Sequence, residues 1–564
     1  ATSGDDGDAK PSGQFTPCGV CKQRAAFGSS VQDHQTEGDQ PFLALVSRQI
    51  EVQPAGEVEE TEFAPLRGRK VLVFSDSRQM AARLAPNLQT YSMRDVIRPV
   101  LLRGWRELQD NPLLSATLNL ENVFLATLVG ASRLHVRLRP ELGPAESMRP
   151  LGVVRKIVDS GELGTPQGAV KLLQVPNQPP QALLRALVTT LTHEYYGLSP
   201  LALASLREKA DLAEVVNDVP SIPGVAETDE ARLALVRLWI DQWRKPGIWF
   251  PSMTADWIGT KGGVKTHSGS FKPMGDFLEA VAKGAKRTFT RNWVPALIGA
   301  FCAPSGGSNQ MIAGNLALWL GDEDEWAYCE RCRTTQRPFP GTQRCFGCLG
   351  ETTLHVIDPN ADSVFVARKG YYRSSSVRAL ADPPALPFSI IAAEHTAQLN
   401  SSQNEDVFSK AERNELLFQD VDVTVPAAGE VPEAAIDVLS STTTMEVGID
   451  IGSLSGVALR NMPPSRANYQ QRAGRAGRRG NAIATVVAFG SSDTHDDQYF
   501  REPAAMISGR VDDPRLTMDN EEIARRHVTA YLLQRYHQAR LPNIPDADQP
   551  SNLFEVLGTV SGFL

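Results

Sequence analysis

The stretch Gln471-Arg472-Ala473-Gly474-Arg475-Ala476-Gly477-Arg478-Arg479-Gly480 constrains the fold of this chain more than any other segment. Arg475 and Arg478 lie three residues apart, each after a glycine that lets the backbone turn tightly beside a ligand. A guanidinium stays charged at cellular pH and presents a two-pronged fork to phosphate oxygens, so this spacing suits a nucleoside triphosphate. A solvated basic loop is the alternative, since Arg and Gly together are common in disordered tails. What precedes the stretch argues against that alternative. Ile436-Asp437-Val438-Leu439 reads as a buried strand, and it runs into Ser441-Thr442-Thr443-Thr444-Met445-Glu446-Val447-Gly448-Ile449-Asp450. Hydroxyls directly after a strand can donate to a nucleic-acid phosphate, and Gly448 permits close backbone approach. A short strand, Gly456-Val457-Ala458-Leu459, separates the two motifs.

Two further segments repeat the strand-then-polar pattern. Lys70–Phe74 is apolar and ends at Ser75-Asp76-Ser77-Arg78, a polar helix start leading into Gln79–Leu84. Free amides at a helix N-terminus beside an arginine make a phosphate site, although an ordinary serine-capped βα junction is spelled the same way. Ile390–Leu399 contains His395, and Arg413 and Phe418 follow on a predicted helix.

These segments resemble motifs IV, V and VI of superfamily-2 helicases. The resemblance implies an α/β fold, in which a RecA-like parallel-sheet lobe is interrupted by a large, mainly helical insertion with a zinc ribbon. It implies that Arg475, Arg478 and Gln471 are catalytic, with the two arginines acting as fingers on ATP. Gly448, Asp450, Gly474 and Gly477 would line the nucleotide. Ser75, Ser77, Arg78 and Thr442, with His395 as a secondary candidate, would touch the nucleic-acid backbone. The implied cofactors are ATP and Mg2+, and the implied partner is DNA, single-stranded or duplex with a single-stranded end. Thr443–Asp450 and Arg460–Gln470, with His495–Phe500 and Arg525-Arg526-His527, are similar to one branch in particular. That branch holds the large bacterial helicases of mitomycin-type DNA repair and of anti-phage systems such as DISARM and Druantia. The matching residues cover about 61–90 and 385–535.

A complete helicase motor also needs a Gly-x4-Gly-Lys-Ser/Thr loop and an acidic pair after a strand. The nearest approach, Gly259–Thr266, has β-branched Val264 where the second glycine belongs. Leu316–Leu320 ahead of Asp322-Glu323 only faintly resembles the acidic pair, and both segments fall between motifs IV and V, the wrong order for a first lobe. The chain therefore reads as a second RecA-like lobe without its first. It begins at Ala1 with an acidic stretch, which predicts either a fragment of a longer polypeptide or a split motor whose protein partner brings the first lobe. A reading from another class is a non-catalytic scaffold, in which a degenerate lobe and its ribbon bind DNA or a partner. The intact arginine pair argues against it.

Cysteines give the second strong signal. Cys329-x2-Cys332 and Cys345-x2-Cys348, with twelve residues between the pairs, offer four thiolates to one tetrahedral Zn2+ and leave no position open for catalysis. A lone knuckle, Cys18-x2-Cys21, is a second candidate metal site without a complement nearby, and Cys302 reads as a small buried hydrophobe. The net charge of −8 excludes a simple cationic nucleic-acid binder. Contact with DNA would fall to local clusters such as Arg466, Arg472, Arg475, Arg478 and Arg479. No signal peptide or membrane-length apolar run is visible, so a cytoplasmic protein without membrane contact is expected.

These anchors divide the chain. Residues 1–60 read as an acidic leader with some order near 41–50, and 61–90 as the first part of the lobe. Then come a helical insertion at 91–325, the zinc ribbon at 326–357 and a connector at 358–384. The rest of the lobe follows at 385–510, and a helical extension at 511–564. An interruption of about 290 residues is far beyond loop length and must fold as its own unit. Trp239, Trp243, Trp249 and Trp257 could stack on unpaired bases, but as tryptophans they are expected mostly in the insertion's core.

Overall fold

The computed structural model describes residues 40–56, 64, 66–136, 138, 149–212, 218–244, 247–259, 264, 266, 272–320, 325–387, 389–395, 409–423, 435–446, 452, 454–477, 483–490, 493–511, 519–540, 542 and 561. Gly448, Asp450, Arg478, Cys18 and Cys21 fall outside them. Clustering divides the chain into a large unit, 1–464 with 468–502, and a small one, 465–467 with 503–564.

The large unit contains a parallel sheet of β1 (Val71–Phe74), β9 (Ala392–His395), β10 (Val438–Ser441), β11 (Gly456–Leu459) and β12 (Thr485–Ala488), in spatial order β12-β11-β1-β10-β9. The central strands β1, β10 and β11 are buried on both faces, which is why β1 and β11 read as short continuous apolar runs without alternation, while β10 ends in the buried serines Ser440 and Ser441. Phe74 pairs with Ser441 and Leu459, Ser441 with His395, and Leu459 with Ala488, so all five strands end at one level. The residues just beyond them form a common rim. This mixed α/β architecture with a five-stranded parallel sheet is the predicted fold class.

The lobe also recruits chain from the segment expected to be a leader. Helix α1 (Gln40–Val52) buries Phe42, Leu43, Val46 and Ile50 with Val71, Val73 and Val438 in one core. Gln49 Nε2 donates to the carbonyls of Val457 (3.1 Å) and Thr485 (3.0 Å), and Gln53 Nε2 to that of Lys70 (3.0 Å). Composition hid this helix because its polar residues answer strand carbonyls that only the fold brings near.

Helix α2 (Arg78–Gln109) starts at the rim, where Ser77 Oγ caps it by accepting from Met80 N at 3.4 Å. It runs unbroken past residue 90, where the first part of the lobe was expected to end, and into the insertion. There it meets α3 (Val123–Arg133) so closely that a Cβ on Gly104 would lie 1.7 Å from the Ala126 carbonyl, and one on Gly130 1.9 Å from that of Val100. Around this crossing pack α4 (Arg149–Asp159), α5 (Pro166–Leu173), α6 (Gln181–Thr192) and the helices Asp229–Arg244, Lys272–Val281 and Val294–Phe301. Trp105, Trp239, Trp243, Trp257 and Trp293 are wholly buried and Trp249 packs against their cluster, so these tryptophans lie in the insertion's core, as expected. The insertion is not purely helical: β2 (Ser205–Glu208) pairs with β5 (Leu316–Trp319), and β3 (Cys302–Ser305) with β4 (Ser308–Met311), both antiparallel. The apolar run ahead of Asp322-Glu323 thus lies outside the parallel sheet. The expected connector is mostly a helix, Ser363–Leu380, whose Ala379 sits in the insertion's core.

In the small unit the helices Pro503–Ser508 and Glu521–Arg540 are formed, and the Arg466 guanidinium donates to the Gly509 carbonyl. Among the described residues no helix is long and apolar enough to cross a membrane.

Candidate functional site

In an open parallel sheet, ligands bind outside the carboxyl ends of the strands, because loops and helix N-termini converge there. Here that rim collects the predicted nucleotide- and nucleic-acid-contact residues that fall among the described ones. Ser75 follows β1, Thr442 follows β10, His395 ends β9, and Arg460-Asn461 follow β11. Arg78 is exposed at the first turn of α2, where the helix dipole and its free amides favour an anion.

Several candidates are already engaged. Ser75 is buried, its Oγ donating to the Ser77 carbonyl at 3.3 Å and its amide to Ser441 O at 3.0 Å. Ser77 is committed to its cap. Thr442 is buried, whereas Thr443 beside it is exposed and is the freer hydroxyl. His395 is buried, with Nε2 2.5 Å from Glu415 Oε1 on the helix Lys410–Phe418. The structure makes it a pinned residue at the sheet edge.

The arginine stretch closes the rim. Arg472 ends the helix Arg466–Ala473 and is 0% exposed. Its Nε donates to Glu446 Oε1 at 2.6 Å, its Nη2 to Asp76 Oδ1, and its guanidinium lies 5.5 Å over the Phe74 ring. Asn468 Nδ2 reaches the other Glu446 oxygen at 3.2 Å, and Asn461 Oδ1 accepts from the Asp76 amide at 3.1 Å. One buried guanidinium thus ties the loops after β1 and β10 to the arginine stretch. Arg475 is 6% exposed and its Nη2 donates to the Glu446 carbonyl at 2.6 Å. Gln471 and Gly474 face solvent, and Gly477, at φ 78°, takes the left-handed conformation its type permits. Sequence reasoning placed Arg472 among phosphate-binding cations. Its carboxylate partners, 26 and 396 residues away, show it holding the loops.

The segments Arg460–Gln470 and His495–Phe500 meet in space. Asp496 is buried and accepts from Met462 N at 3.1 Å, while His495 Nε2 lies 3.0 Å from the Pro463 carbonyl. Each segment fixes the other behind β11.

Residues 427–480 match the helicase conserved C-terminal domain, spanning β10, β11 and the arginine stretch. Druantia protein DruE of Escherichia coli (strain UMEA 4076-1) is 32% identical over 97% of this chain, and ATP-dependent helicase HRQ1 of Saccharomyces cerevisiae is 42% identical over 12% of it. The chain carries a superfamily-2 helicase C-terminal lobe. It spans 30% of the length of DruE and 6% of that of HRQ1. No solved structure matches it.

Within the interruption of the lobe, β6 (Trp326–Cys329), β7 (Thr335–Gln336) and β8 (Leu354–Ile357) form the antiparallel sheet of the ribbon. The sulfurs of Cys329, Cys332, Cys345 and Cys348 all lie within 4.8 Å of one another, with 3.6 Å between Cys329 and Cys348 and 3.4 Å between Cys332 and Cys345. Four thiolates at about 2.3 Å from a central zinc would stand about 3.8 Å apart, so the cluster fits that ion. Amides of Cys332 and Gly347 point at Cys329 Sγ (3.5 Å) and Cys345 Sγ (3.3 Å), as thiolate ligands require. The hydroxyls of Thr334 and Thr353 lie 3.1 Å from Cys332 Sγ and 3.3 Å from Cys329 Sγ. A hydrogen bond from the Cys345 thiol draws the pKa of Cys332 down to about 4, the direction a thiolate ligand needs, while that contact and burial push Cys345 up. We expect a thiol-blocking mercurial to release about one equivalent of zinc, read with a chromogenic chelator, and Cys345→Ser protein to release almost none. A clear second equivalent would bring in Cys18 and Cys21; no zinc would overturn the ribbon assignment.

Proposed function

We propose that this chain is the second motor lobe of an ATP-dependent DNA helicase or translocase that serves anti-phage defence or DNA repair. The observation that carries the proposal is the convergence at one rim. The loop after β1, the loop after β10 and the arginine stretch are tied together by Arg472, and Arg475 donates to the Glu446 carbonyl in the loop after β10. Likeness to a Druantia protein over nearly the whole chain supports the defence setting. A first RecA-like lobe, from the rest of a longer polypeptide or from a partner, would complete the cleft.

ATP with Mg2+, held between the lobes, would supply the energy of phosphoryl transfer. Arg475 and Arg478 would approach the transferring phosphoryl group, where negative charge develops. Gln471 would order the groups around it, with Gly474 and Gly477 admitting the backbone, while Gly448 and Asp450 would face the nucleotide's sugar. Arg78, Ser75, Ser77 and Thr442 would grip the DNA backbone through phosphates, which gives tracking without sequence preference. Since Thr442 is buried and Thr443 exposed, the second hydroxyl is the better phosphate donor in this conformation. The buried ring of His395 would hold the edge of this surface through Glu415.

DNA-stimulated ATP hydrolysis tests the proposal. This chain alone is expected to be inactive, and the chain joined to its first lobe active. Inactivity in both preparations, with DNA still bound, would leave a DNA-binding scaffold in place of a motor.

A further inference from the structure

The chain is acidic overall, yet the helix Ser363–Leu380 carries Arg368, Lys369, Arg373 and Arg378 and no acidic residue. Helix α6 likewise has Arg185 and no acid. Between these elements lies a continuous row of rings. His193 stacks on Tyr196 at 4.9 Å, Tyr196 meets Tyr372 at 4.6 Å, and Tyr372 meets Tyr371 edge-on at 5.2 Å, with Tyr195 6.5 Å from Tyr196. Tyr195 is 61% and Tyr371 64% exposed. Large exposed side chains normally scatter singly, whereas a row of touching rings on a surface marks a contact site.

The row is held from beneath. Arg98 is buried, and its guanidinium donates to the carbonyls of Tyr196 (2.9 Å) and Tyr372 (3.0 Å), so one cation clamps the two segments that carry the rings. Its Nε has no hydrogen-bond partner among the described residues. Lys369 Nζ donates to the Tyr195 carbonyl at 3.1 Å. The acidic groups close by are Asp95, Glu194 and Glu51, and Glu51 is already paired with Arg48 and Arg378. A cleft of about 620 Å³ opens on the Tyr196 side, lined also by Gln89, Arg98 and Arg185. Another of about 320 Å³ opens on the Tyr371 side, lined also by Ser92 and Arg378. Both are floored by α2, the helix that begins at Ser77 and Arg78 on the rim. From Arg78 to Asp95 that helix spans about 25 Å, which is within reach of a strand occupying about 4–16 nucleotides.

The geometry points to a second contact for single-stranded nucleic acid, in which bases stack on Tyr195, Tyr196 and Tyr371 while Lys369, Arg185 and Arg378 meet the phosphates. The inference rests on the reading of this chain as a DNA motor lobe and adds where a separated strand runs once it leaves the rim. Every base offers a π-face, so stacking on tyrosine tolerates any sequence, as a translocase requires. Cationic helices without acids match a polyanion better than a protein partner, whose surface carries both signs.

The test uses the full chain and a fluorescein-labelled twenty-nucleotide oligo(dT), read by anisotropy over a salt series. Tyr195→Ala with Tyr371→Ala should weaken binding about 10- to 100-fold, whereas Tyr195→Phe with Tyr371→Phe should bind within about threefold of the parent. Lys369→Ala should lower the slope of log affinity against log salt by about one. Both tyrosines are exposed, so an unchanged unfolding midpoint is expected and shows that the fold is kept. Unchanged affinity in the alanine variant overturns the inference, and if Arg78→Ala then weakens binding, the motor-lobe reading stands without it. An alanine variant that binds DNA normally but loses a co-purifying protein makes the row a protein dock and overturns it equally. Failure of the parent chain to bind oligo(dT) overturns it outright, leaving the motor reading to be judged by ATP hydrolysis.

Discussion

Arg472→Ala is expected to destabilise the large unit by about 3 kcal/mol, the low end of the loss seen when one partner of a buried ion pair is removed. The lower end applies because the Asp76 side chain is 30% exposed and water can replace the arginine there, whereas Glu446, at 7%, would be left buried and short of a partner. Arg472→Lys keeps the charge but loses the fork. A single ammonium cannot satisfy Glu446 and Asp76 together, so an intermediate loss is expected. Removing both charges, with Arg472→Met and Glu446→Gln, should cost less than Arg472→Ala alone, because no buried carboxylate remains. Urea unfolding of the four proteins measures the differences. An Arg472→Ala midpoint equal to the parent's would show that the rim loops do not depend on this guanidinium.

The same arginine shows how far the sequence could be read. The strands and the order of the motifs were legible because apolar runs such as β1 and β11 lead into polar loops. That pattern needs only local chemistry: burial on both faces, then a rim. The four-cysteine cluster was legible for a similar reason, since its logic lies in two short spacings. Roles within the rim were less legible. Arg472 and Arg475 look equivalent on paper, both arginines in one Gly-rich stretch. What separates them is that Arg472 pairs with Asp76, contributed from 396 residues away, while Arg475 donates to the Glu446 carbonyl. Thr442 and Thr443 are likewise adjacent, and only the turn after β10 decides which hydroxyl faces water. Some order near 41–50 was legible, but not that helix α1 joins the lobe, because its glutamines serve carbonyls on distant strands. The tyrosine row was invisible because residues 195–196 and 371–372 become neighbours only when the segment after α6 packs against the helix Ser363–Leu380. Tryptophan, the stronger stacking residue on composition alone, went instead to the core of the insertion.

In the motor assembled with its first lobe, Arg475→Ala and Arg478→Ala should each lower kcat for ATP by about a thousandfold, the low end of what an arginine finger contributes. The KM for ATP should change far less, since the guanidinium acts on charge that appears mainly in the transition state. Stability should separate the two variants. Arg475 donates to the Glu446 carbonyl at 2.6 Å from a buried position, so its loss also frees a backbone acceptor in the loop after β10. A cost of about 1–3 kcal/mol on unfolding should accompany the kinetic defect. Arg475→Lys can still donate to that carbonyl, so it should recover stability while kcat stays low, because an ammonium cannot form the two-pronged bond to phosphate oxygens. Single-turnover hydrolysis beside urea unfolding tells the roles apart. If Arg475→Lys restores both kcat and stability, Arg475 is a strut of the loop and the finger is Arg478 alone. If Arg478→Ala also leaves single-turnover hydrolysis unchanged, the arginine stretch does not act on the transferring phosphate. Its glycines and cations would then serve to lock the rim loops together, as Arg472 already does.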